Sequence, residues 1–163
     1  MSSREQSRIA MLDTSFFVRL LNDKGILHES AKAYFQYFLE NKFQLYMSTV
    51  AIAEYCVHGE LDQLPFDCVR VVPFNLDHAE KAGLYAHTLF QAKDNGQYSP
   101  DQRIIIPNDT KLFAQASSIG ALYFVTSDTK ASKAMALLAK ENGFTVRHVD
   151  IHAPVSSFSG ALF

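Results

Sequence analysis

The feature of this sequence that most constrains its fold is a regular alternation of short apolar segments with longer segments of helical periodicity. Five segments have the length and composition of buried β-strands, namely residues 8–12, 43–47, 68–74, 121–127 and 144–150. The segments between them place apolar residues at helical spacing, namely residues 14–22, 28–42, 48–59, 76–96, 109–120 and 128–143. Strands joined by helical crossovers pair in parallel and are covered on both faces. The sequence therefore predicts a three-layer α/β/α sandwich around a five-stranded, mostly parallel sheet.

The chain has enough apolar material for one domain with a sizeable core. It has 163 residues, of which 48% are hydrophobic, including 13 Phe and 7 Tyr. We expect one α/β domain over residues 8–150, with a flexible N-terminus at 1–7 and a tail at 151–163 that lacks periodicity. Two prolines interrupt the polar segment 97–108, which is expected to be a loop.

Charge and cysteine content exclude several classes of protein. The formal net charge is −2, so nothing in the composition indicates a strongly basic nucleic-acid binder. The two cysteines, Cys56 and Cys68, do not form a CxxC motif and indicate neither a disulfide framework nor a thiolate metal cage. The apolar run that ends at Asp13 is too short for a signal peptide or a membrane span. We therefore expect a cytoplasmic protein.

Four acidic residues fall where an open parallel sheet places its functional site, outside the carboxyl ends of the strands. Asp13 follows the first predicted strand directly, and Asp128 follows the fourth. Asp109 begins the helix that leads into that fourth strand. Glu54 lies within the helix that follows the second strand. These positions predict a cleft lined by four carboxylates.

Each aspartate has a simpler interpretation when it is considered alone. An aspartate near the start of a helix accepts hydrogen bonds from free N–H groups and interacts favourably with the helix dipole. Glu54 does not fit this interpretation, because it is expected nearly two turns into an apolar helix, with its side chain leaning back towards the strand ends. A solvated helix face is the alternative explanation for Glu54.

Four carboxylates in one cleft repel one another, and a hard divalent cation removes that conflict. Carboxylate oxygens without His or Cys favour Mg²⁺ or Mn²⁺, which also bind substrate phosphates. Such an ion activates water and stabilises the charge that develops on a phosphodiester. Without these four carboxylates the rest of the chain carries a small positive charge. Arg19, Lys111 and Lys130 lie close in sequence to three of the acids, and they are candidates for phosphate contacts or else ordinary solvated cations.

Other patterns in the sequence point to chemistry less strongly. His148, Asp150 and His152 alternate at the end of the last predicted strand, which indicates a polar strand edge more than a metal site. The chain has no G-x-S-x-G elbow and no phosphate-binding glycine loop. A receiver domain would need paired acids after the first strand, but Thr14 follows Asp13.

Taken together, these stretches resemble the PIN-domain ribonucleases, a family that includes the VapC toxins of bacterial toxin–antitoxin pairs. The resemblance covers roughly residues 8–150. The matching stretches are LDTSFFVRLL with Asp13, STVAIAEY with Glu54, and NDTKLFAQASSIGALYFVTSD with Asp109 and Asp128. The last stretch is the most specific, because it joins an acid, an alanine-bearing helix, a glycine turn, an apolar strand and a Thr-x-Asp end.

The resemblance implies a PIN fold and Mg²⁺- or Mn²⁺-dependent endonuclease activity, usually on RNA. By that analogy, the catalytic and metal-ligating residues are Asp13, Glu54, Asp109 and Asp128. Ser48 and Thr126 match polar positions of the family that support the acids through hydrogen bonds. The resemblance also implies a homodimer and an antitoxin partner. The alternative is a catalytically silent PIN module that binds RNA or protein, in which the acids serve only as caps.

Overall fold

A five-stranded, all-parallel sheet forms the centre of the molecule. The computed structural model describes residues 8–97 and 105–159. The strands are β1 (Ile9–Leu12), β2 (Gln44–Ser48), β3 (Val69–Val72), β4 (Tyr123–Thr126) and β5 (Arg147–Asp150). Their order across the sheet is β3-β2-β1-β4-β5, and every neighbouring pair is parallel. The predicted sheet and all five predicted strands are confirmed.

Helices connect the strands in the predicted alternation. They are α1 (Thr14–Leu21), α2 (His28–Glu40), α3 (Thr49–Tyr55), α4 (Leu76–Asp94), α5 (Ile105–Ser118), α6 (Ala131–Asn142) and α7 (Val155–Ser159), with a short 3₁₀ helix at Leu61–Gln63. The helix α1 contacts α2 and α3, whereas α4 contacts α5 and α6. Right-handed crossovers place these two groups on opposite faces of the sheet. The three-layer α/β/α prediction is therefore confirmed.

The direction of the chain across the sheet reverses between β1 and β4. From β1 the chain moves through β2 to β3, and it then crosses to β4 and continues to β5 on the other side. In open α/β sheets, the crevice at such a switch point, outside the carboxyl ends of the strands, is where ligands bind. Met11 lies opposite Phe124 and Leu12 opposite Val125, so Asp13 and the residues after β4 are brought to this crevice.

The two central strands and the rings around them form the core. Ala10, Met11 and Leu12 of β1 are fully buried, as expected for the middle strand of a parallel sheet. Phe113 of α5 packs edge-on against Phe124 of β4, with ring centroids 5.2 Å apart. Phe113 thereby packs α5 against the middle of the sheet.

Local sequence signals explain several helix ends. Asp13, Ser48 and Asn75 cap the first turns of α1, α3 and α4 through side-chain oxygens that accept backbone N–H groups. Gly143 ends α6 with φ +66°, a left-handed conformation in which a residue with a Cβ would be strained.

Three predicted helix boundaries are wrong by three or four residues, and one of them is the start of α6, which lies at Ala131 and not at Asp128. The helix α3 ends at Tyr55 and not at Gly59, and Gly59 lies against the Tyr55 ring so closely that a Cβ would come within 2.4 Å of it. The helix α5 begins at Ile105, so Asp109 lies one turn inside it and does not begin it. Pro107 is accepted there because the first N–H groups of a helix have no partner within the helix. The remainder of the predicted loop, residues 98–104, lies outside the described residues.

The tail that the sequence sets apart from the domain packs onto it as far as it is described. Phe158 of α7 lies 5.1 Å from the ring of Tyr123 and 5.8 Å from that of Phe38 (centroid distances). Residues 160–163 and the predicted flexible N-terminus, residues 1–7, lie outside the described residues. No helix in the described part of the chain is long and apolar enough to cross a membrane.

Candidate active site

Asp13 is held in one orientation at the end of β1. Its backbone N–H donates to the carbonyl of Val125, which continues the pairing with β4. Its Oδ1 accepts from Ser15 Oγ at 2.6 Å and from the backbone N–H of Phe16 at 3.1 Å. Its Oδ2 accepts from Thr126 Oγ1 at 2.7 Å. Asp13 is therefore a helix cap, and both of its carboxylate oxygens are anchored.

Two hydroxyl groups connect Asp13 to the loop after β4. Thr126, which is fully buried, accepts a 2.9 Å hydrogen bond from the backbone N–H of Asp128 while it donates to Asp13. Ser15 Oγ accepts from the backbone N–H of Ser127 at 2.9 Å. The supporting hydrogen bonds expected of Thr126 are therefore present, and Ser15 makes a parallel set.

Asp128 lies in the turn between β4 and α6. Its Oδ1 accepts from the backbone N–H of Lys130 at 2.9 Å, and Lys130 itself occupies the N-cap position of α6. The carbonyl oxygen of Asp128 lies 3.3 Å from His148 Nε2 on the neighbouring strand. Asp128 therefore stabilises the turn, whereas it is not the residue that caps α6.

The charges of the other three acids act on Asp109. Burial raises the pKa of Asp109, and the negative charges of Asp128, Asp13 and Glu54 raise it further, to about 7. Burial also raises the pKa of Asp13, while the hydrogen bonds from Ser15, Thr126 and Phe16 oppose that rise. The three other carboxylates that the sequence singled out are thus near enough to Asp109 for their charges to act on it.

Glu54 reaches this cluster from an exposed position. It lies one residue before the end of α3, and it is exposed together with Cys56 and Val57. The apolar surroundings expected for Glu54 are therefore absent on this face. Its Oε2 accepts a 2.8 Å hydrogen bond from Thr14 Oγ1, the first residue of α1. Thr14, which follows Asp13 directly, thus links Glu54 to the start of α1.

Ser48 caps α3, and it also has a buried partner. Its Oγ accepts from the backbone N–H of Val50 at 2.9 Å and donates to Gln115 Oε1 on α5. Gln115 Nε2 in turn donates to the carbonyl oxygen of Val72, at the end of β3. This chain of bonds joins α5 to the ends of β2 and β3.

The candidate phosphate-binding cations lie at different distances from the acids along their elements. Lys111 is half-buried and two residues after Asp109, and Lys130 is exposed two residues after Asp128. Arg19 lies in the last turn of α1, about 9 Å along the helix axis from Asp13. Lys111 and Lys130 are thus the nearer candidates.

The donor set suits a hard divalent cation in its chemistry, since it consists of carboxylate oxygens whose charges repel one another. Within residues 8–97 and 105–159, however, no group of three or more acidic, histidine or cysteine side chains is arranged to hold an ion as it stands. An oxygen of Asp128 and an oxygen of Glu54 accept hydrogen bonds from Lys130 and Thr14 instead. These side chains would therefore have to move to assemble a site.

The pattern at His148, Asp150 and His152 does not form a second site in the described residues. Asp150 Oδ1 lies 2.7 Å from His152 Nδ1, whereas His148 faces the carbonyl of Asp128. The prominent groove of about 650 Å³ lies elsewhere, along β2 and β3 between Phe43 and Val71.

Solved structures with the same fold are VapC toxins and their complexes. The VapBC2 complex of Rickettsia felis bound to a promoter DNA fragment matches with a TM-score of 0.54 and 18% identity, over 87% of this chain and 99% of that chain. VapC20 of Mycobacterium tuberculosis, a sarcin–ricin loop cleaving toxin, matches with a TM-score of 0.54 and 20% identity, over 77% and 94%. This chain has the PIN-domain fold. The DNA-bound VapBC of Salmonella typhimurium matches with a TM-score of 0.52 and 18% identity, over 87% and 97%. No protein-family model and no curated protein sequence matches the chain.

Three polar residues of this PIN fold were not singled out from the sequence. Thr14 and Ser15 follow Asp13 directly, and the capping pattern alone gave no sign that their hydroxyls reach Glu54 and the β4 loop. Gln115 gave a detectable signal, because it is a polar residue between two alanines on the apolar face of a helix.

Proposed function

We propose that this chain is a divalent-metal-dependent endoribonuclease that hydrolyses RNA phosphodiester bonds. The observation that carries the proposal is the proximity of four carboxylates at the β1/β4 switch point: burial, and then the negative charges of Asp128, Asp13 and Glu54, raise the pKa of Asp109 to about 7. Carboxylates that lie close together repel one another at neutral pH and destabilise the fold. A cluster of four is therefore expected where a cation or a reaction uses them.

The residues proposed to hold Mg²⁺ or Mn²⁺ are Asp13, Glu54, Asp109 and Asp128. When bound, the ion would activate a water molecule and stabilise negative charge on the phosphodiester. Asp13 provides the fixed point, since three hydrogen bonds from the chain determine its orientation. Glu54 and Asp128 each accept a single side-chain hydrogen bond in the described contacts, so they have more freedom to turn towards a ligand.

RNA is proposed as the substrate on two grounds. The PIN fold is shared with VapC20, which is described as cleaving the sarcin–ricin loop. In addition, Lys111 and Lys130 lie within two residues of two of the acids, where their ammonium groups would meet phosphates on either side of the cleaved bond. Arg19 would contact phosphates further from the cleft.

An antitoxin protein and a second copy of the chain are proposed partners. Two of the matching structures are VapBC complexes bound to DNA, and in these the toxin is solved together with its partner. We propose that this chain is likewise the toxin of a toxin–antitoxin pair, and that it forms a homodimer. Copurification with the product of a neighbouring small open reading frame would test the first proposal, and light scattering the second.

A second candidate function is a silent PIN module that binds RNA or protein without cleaving it. Specific contacts favour it, because Asp13 caps α1 and Asp128 stabilises a turn, so both have structural roles that need no metal.

Metal binding and RNA cleavage separate the two candidates. Titration of the purified chain with Mn²⁺ and incubation with a structured RNA should show binding and cleavage that both disappear in Asp13→Asn. Asp94→Asn is the matched control, since Asp94 is exposed at the far end of α4. If the unaltered chain neither binds Mn²⁺ nor cleaves RNA, or if Asp13→Asn behaves like Asp94→Asn, the enzyme proposal fails and the binding module remains.

A further inference from the structure

Ser48 and Gln115 form a buried polar contact between elements that carry two of the acids. Both side chains have no solvent exposure. Ser48 Oγ donates to Gln115 Oε1, and Gln115 Nε2 donates to the carbonyl oxygen of Val72 at 3.1 Å. The amide of Gln115 therefore uses one acceptor and one donor to join α5 to the ends of β2 and β3.

Capping does not explain this contact. To cap α3, Ser48 needs only the lone pair that accepts the N–H of Val50. The hydroxyl proton of Ser48 is not needed for capping, and it is donated to Gln115 Oε1. A buried amide is costly unless its hydrogen bonds are made, and an aliphatic residue would fill the same space between Ala114 and Ala116 without that requirement. The polar side chain is therefore suited to fixing a particular arrangement of α5 against α3.

The elements that this contact joins carry two of the acids. Gln115 lies six residues after Asp109 on α5, and Ser48 lies six residues before Glu54 at the start of α3. We propose that Gln115 is a positioning residue, which holds the start of α3 against α5 so that Glu54 and Asp109 face the same cation. This inference rests on the proposed function and deepens it.

The first test measures positioning in the metal-free protein. Gln115→Met keeps the approximate length of the side chain and removes both hydrogen bonds, and Ser48→Ala removes the other partner. Phe113→Leu is the matched control, because Phe113 is buried on the same helix and packs its ring against Phe124 and Phe144. Amide hydrogen exchange over residues 49–55 should accelerate in Gln115→Met and Ser48→Ala, and it should remain unchanged in Phe113→Leu under conditions where all variants stay folded.

The second test measures the consequence for the site. The dissociation constant for Mn²⁺, measured by calorimetry, should rise about tenfold in Gln115→Met, which is the size of effect known for groups that orient metal ligands indirectly. Ser48→Ala should give at least as large a rise, because it removes the contact with Gln115 and also the cap of α3. Phe113→Leu should lower the melting temperature without changing the dissociation constant.

The outcomes decide between positioning and simple core packing. If Gln115→Met lowers the melting temperature but leaves both the exchange of α3 and the Mn²⁺ affinity unchanged, Gln115 is only a packing residue and the inference is overturned. If exchange accelerates but Mn²⁺ affinity does not change, Gln115 holds α3 without positioning the site, which also overturns it. If the unaltered protein binds no Mn²⁺, the proposed function fails, and positioning of a metal ligand by Gln115 fails with it. The exchange measurement still decides whether Gln115 fixes α3.

Discussion

Thr126 Oγ1 donates a 2.7 Å hydrogen bond to Asp13 Oδ2, and this bond joins the ends of the two strands between which the sheet reverses its direction. The same oxygen accepts the N–H of Asp128 at 2.9 Å. One buried hydroxyl thus fixes the orientation of one candidate ligand and the backbone of another. Such a group has a structural role and a functional one at once, and its removal should affect both.

Thr126→Val should therefore destabilise the protein, even though valine has almost the same shape as threonine. The change leaves Asp13 Oδ2 and the N–H of Asp128 without this partner, and we expect a loss of about 1–3 kcal/mol in the free energy of unfolding. Urea denaturation followed by circular dichroism measures it. Thr126→Ser keeps the hydroxyl and should lose much less; equal losses in the two variants would show that the methyl group, not the hydrogen bonds, matters.

Asp109→Asn should stabilise the metal-free protein at pH 8. The pKa of Asp109 is about 7 in the folded protein, against the ordinary value of 3.8 for an unfolded chain. Between these values the folded state holds a proton that the unfolded state has lost, so stability falls as the pH rises through this window and levels off above about 7. Asparagine carries no charge to repel the other three acids. We expect a gain of about 1–3 kcal/mol at pH 8, less than the full shift would give because Asp109 is partly exposed to solvent.

The pH dependence of this difference provides the control. In the presence of EDTA, the stabilities of Asp109→Asn and the unaltered protein should converge towards pH 4, where both carry a neutral side chain at position 109. Melting temperatures measured from pH 4 to pH 8 test this. A difference that is independent of pH would show that the asparagine acts through packing and that the charges of the other acids do not reach Asp109.

Mn²⁺ should raise the melting temperature of the unaltered chain more than that of Glu54→Gln. A ligand that binds only the folded state stabilises it by about 2.7 kcal/mol when its concentration is 100 times the dissociation constant. Glu54 is exposed, so its replacement by glutamine should cost little stability without metal, and any difference would then report on binding. Differential scanning fluorimetry with and without Mn²⁺ measures the shift. An equal shift in Glu54→Gln and the unaltered chain would exclude Glu54 from the ligand set.

Much of this fold was predictable because its signals are local. The apolar strands and the helical spacing between them gave all five strands, and the parallel order follows from the crossover rule. The start of α5 was not predictable in this way. A proline such as Pro107 usually indicates a loop, but the first turn of a helix accepts it. Ile106 is buried in the folded protein, and this tertiary packing cannot be recognised in the local sequence.

The sequence indicated the four candidate acids and the supporting Thr126, but not the contacts of Thr14, Ser15 and Gln115. The four carboxylates stand out because their positions relative to the strands follow from the alternation of elements. The contact between Thr14 and Glu54 joins residues 40 positions apart, and that between Ser48 and Gln115 joins residues 67 positions apart. No local sequence pattern encodes such pairings, because each joins two helices that are distant in the sequence and meet only in the folded protein. The sequence left open whether Glu54 has apolar surroundings or a solvated face, and it is exposed because α3 ends earlier than its apolar sequence indicates.

The last prediction concerns the tail. Phe158 lies within 6 Å of the rings of Tyr34, Tyr37, Phe38 and Tyr123, so it covers an aromatic cluster of the core although it lies beyond the last strand. Phe158→Ala should cost about 1–3 kcal/mol in the free energy of unfolding, less than a fully buried phenylalanine because its own ring is only partly buried. Phe66→Ala, at an exposed position, is the matched control and should cost less. Urea denaturation of both variants decides: equal losses would mean that the tail contributes nothing to the core and that the domain ends with β5.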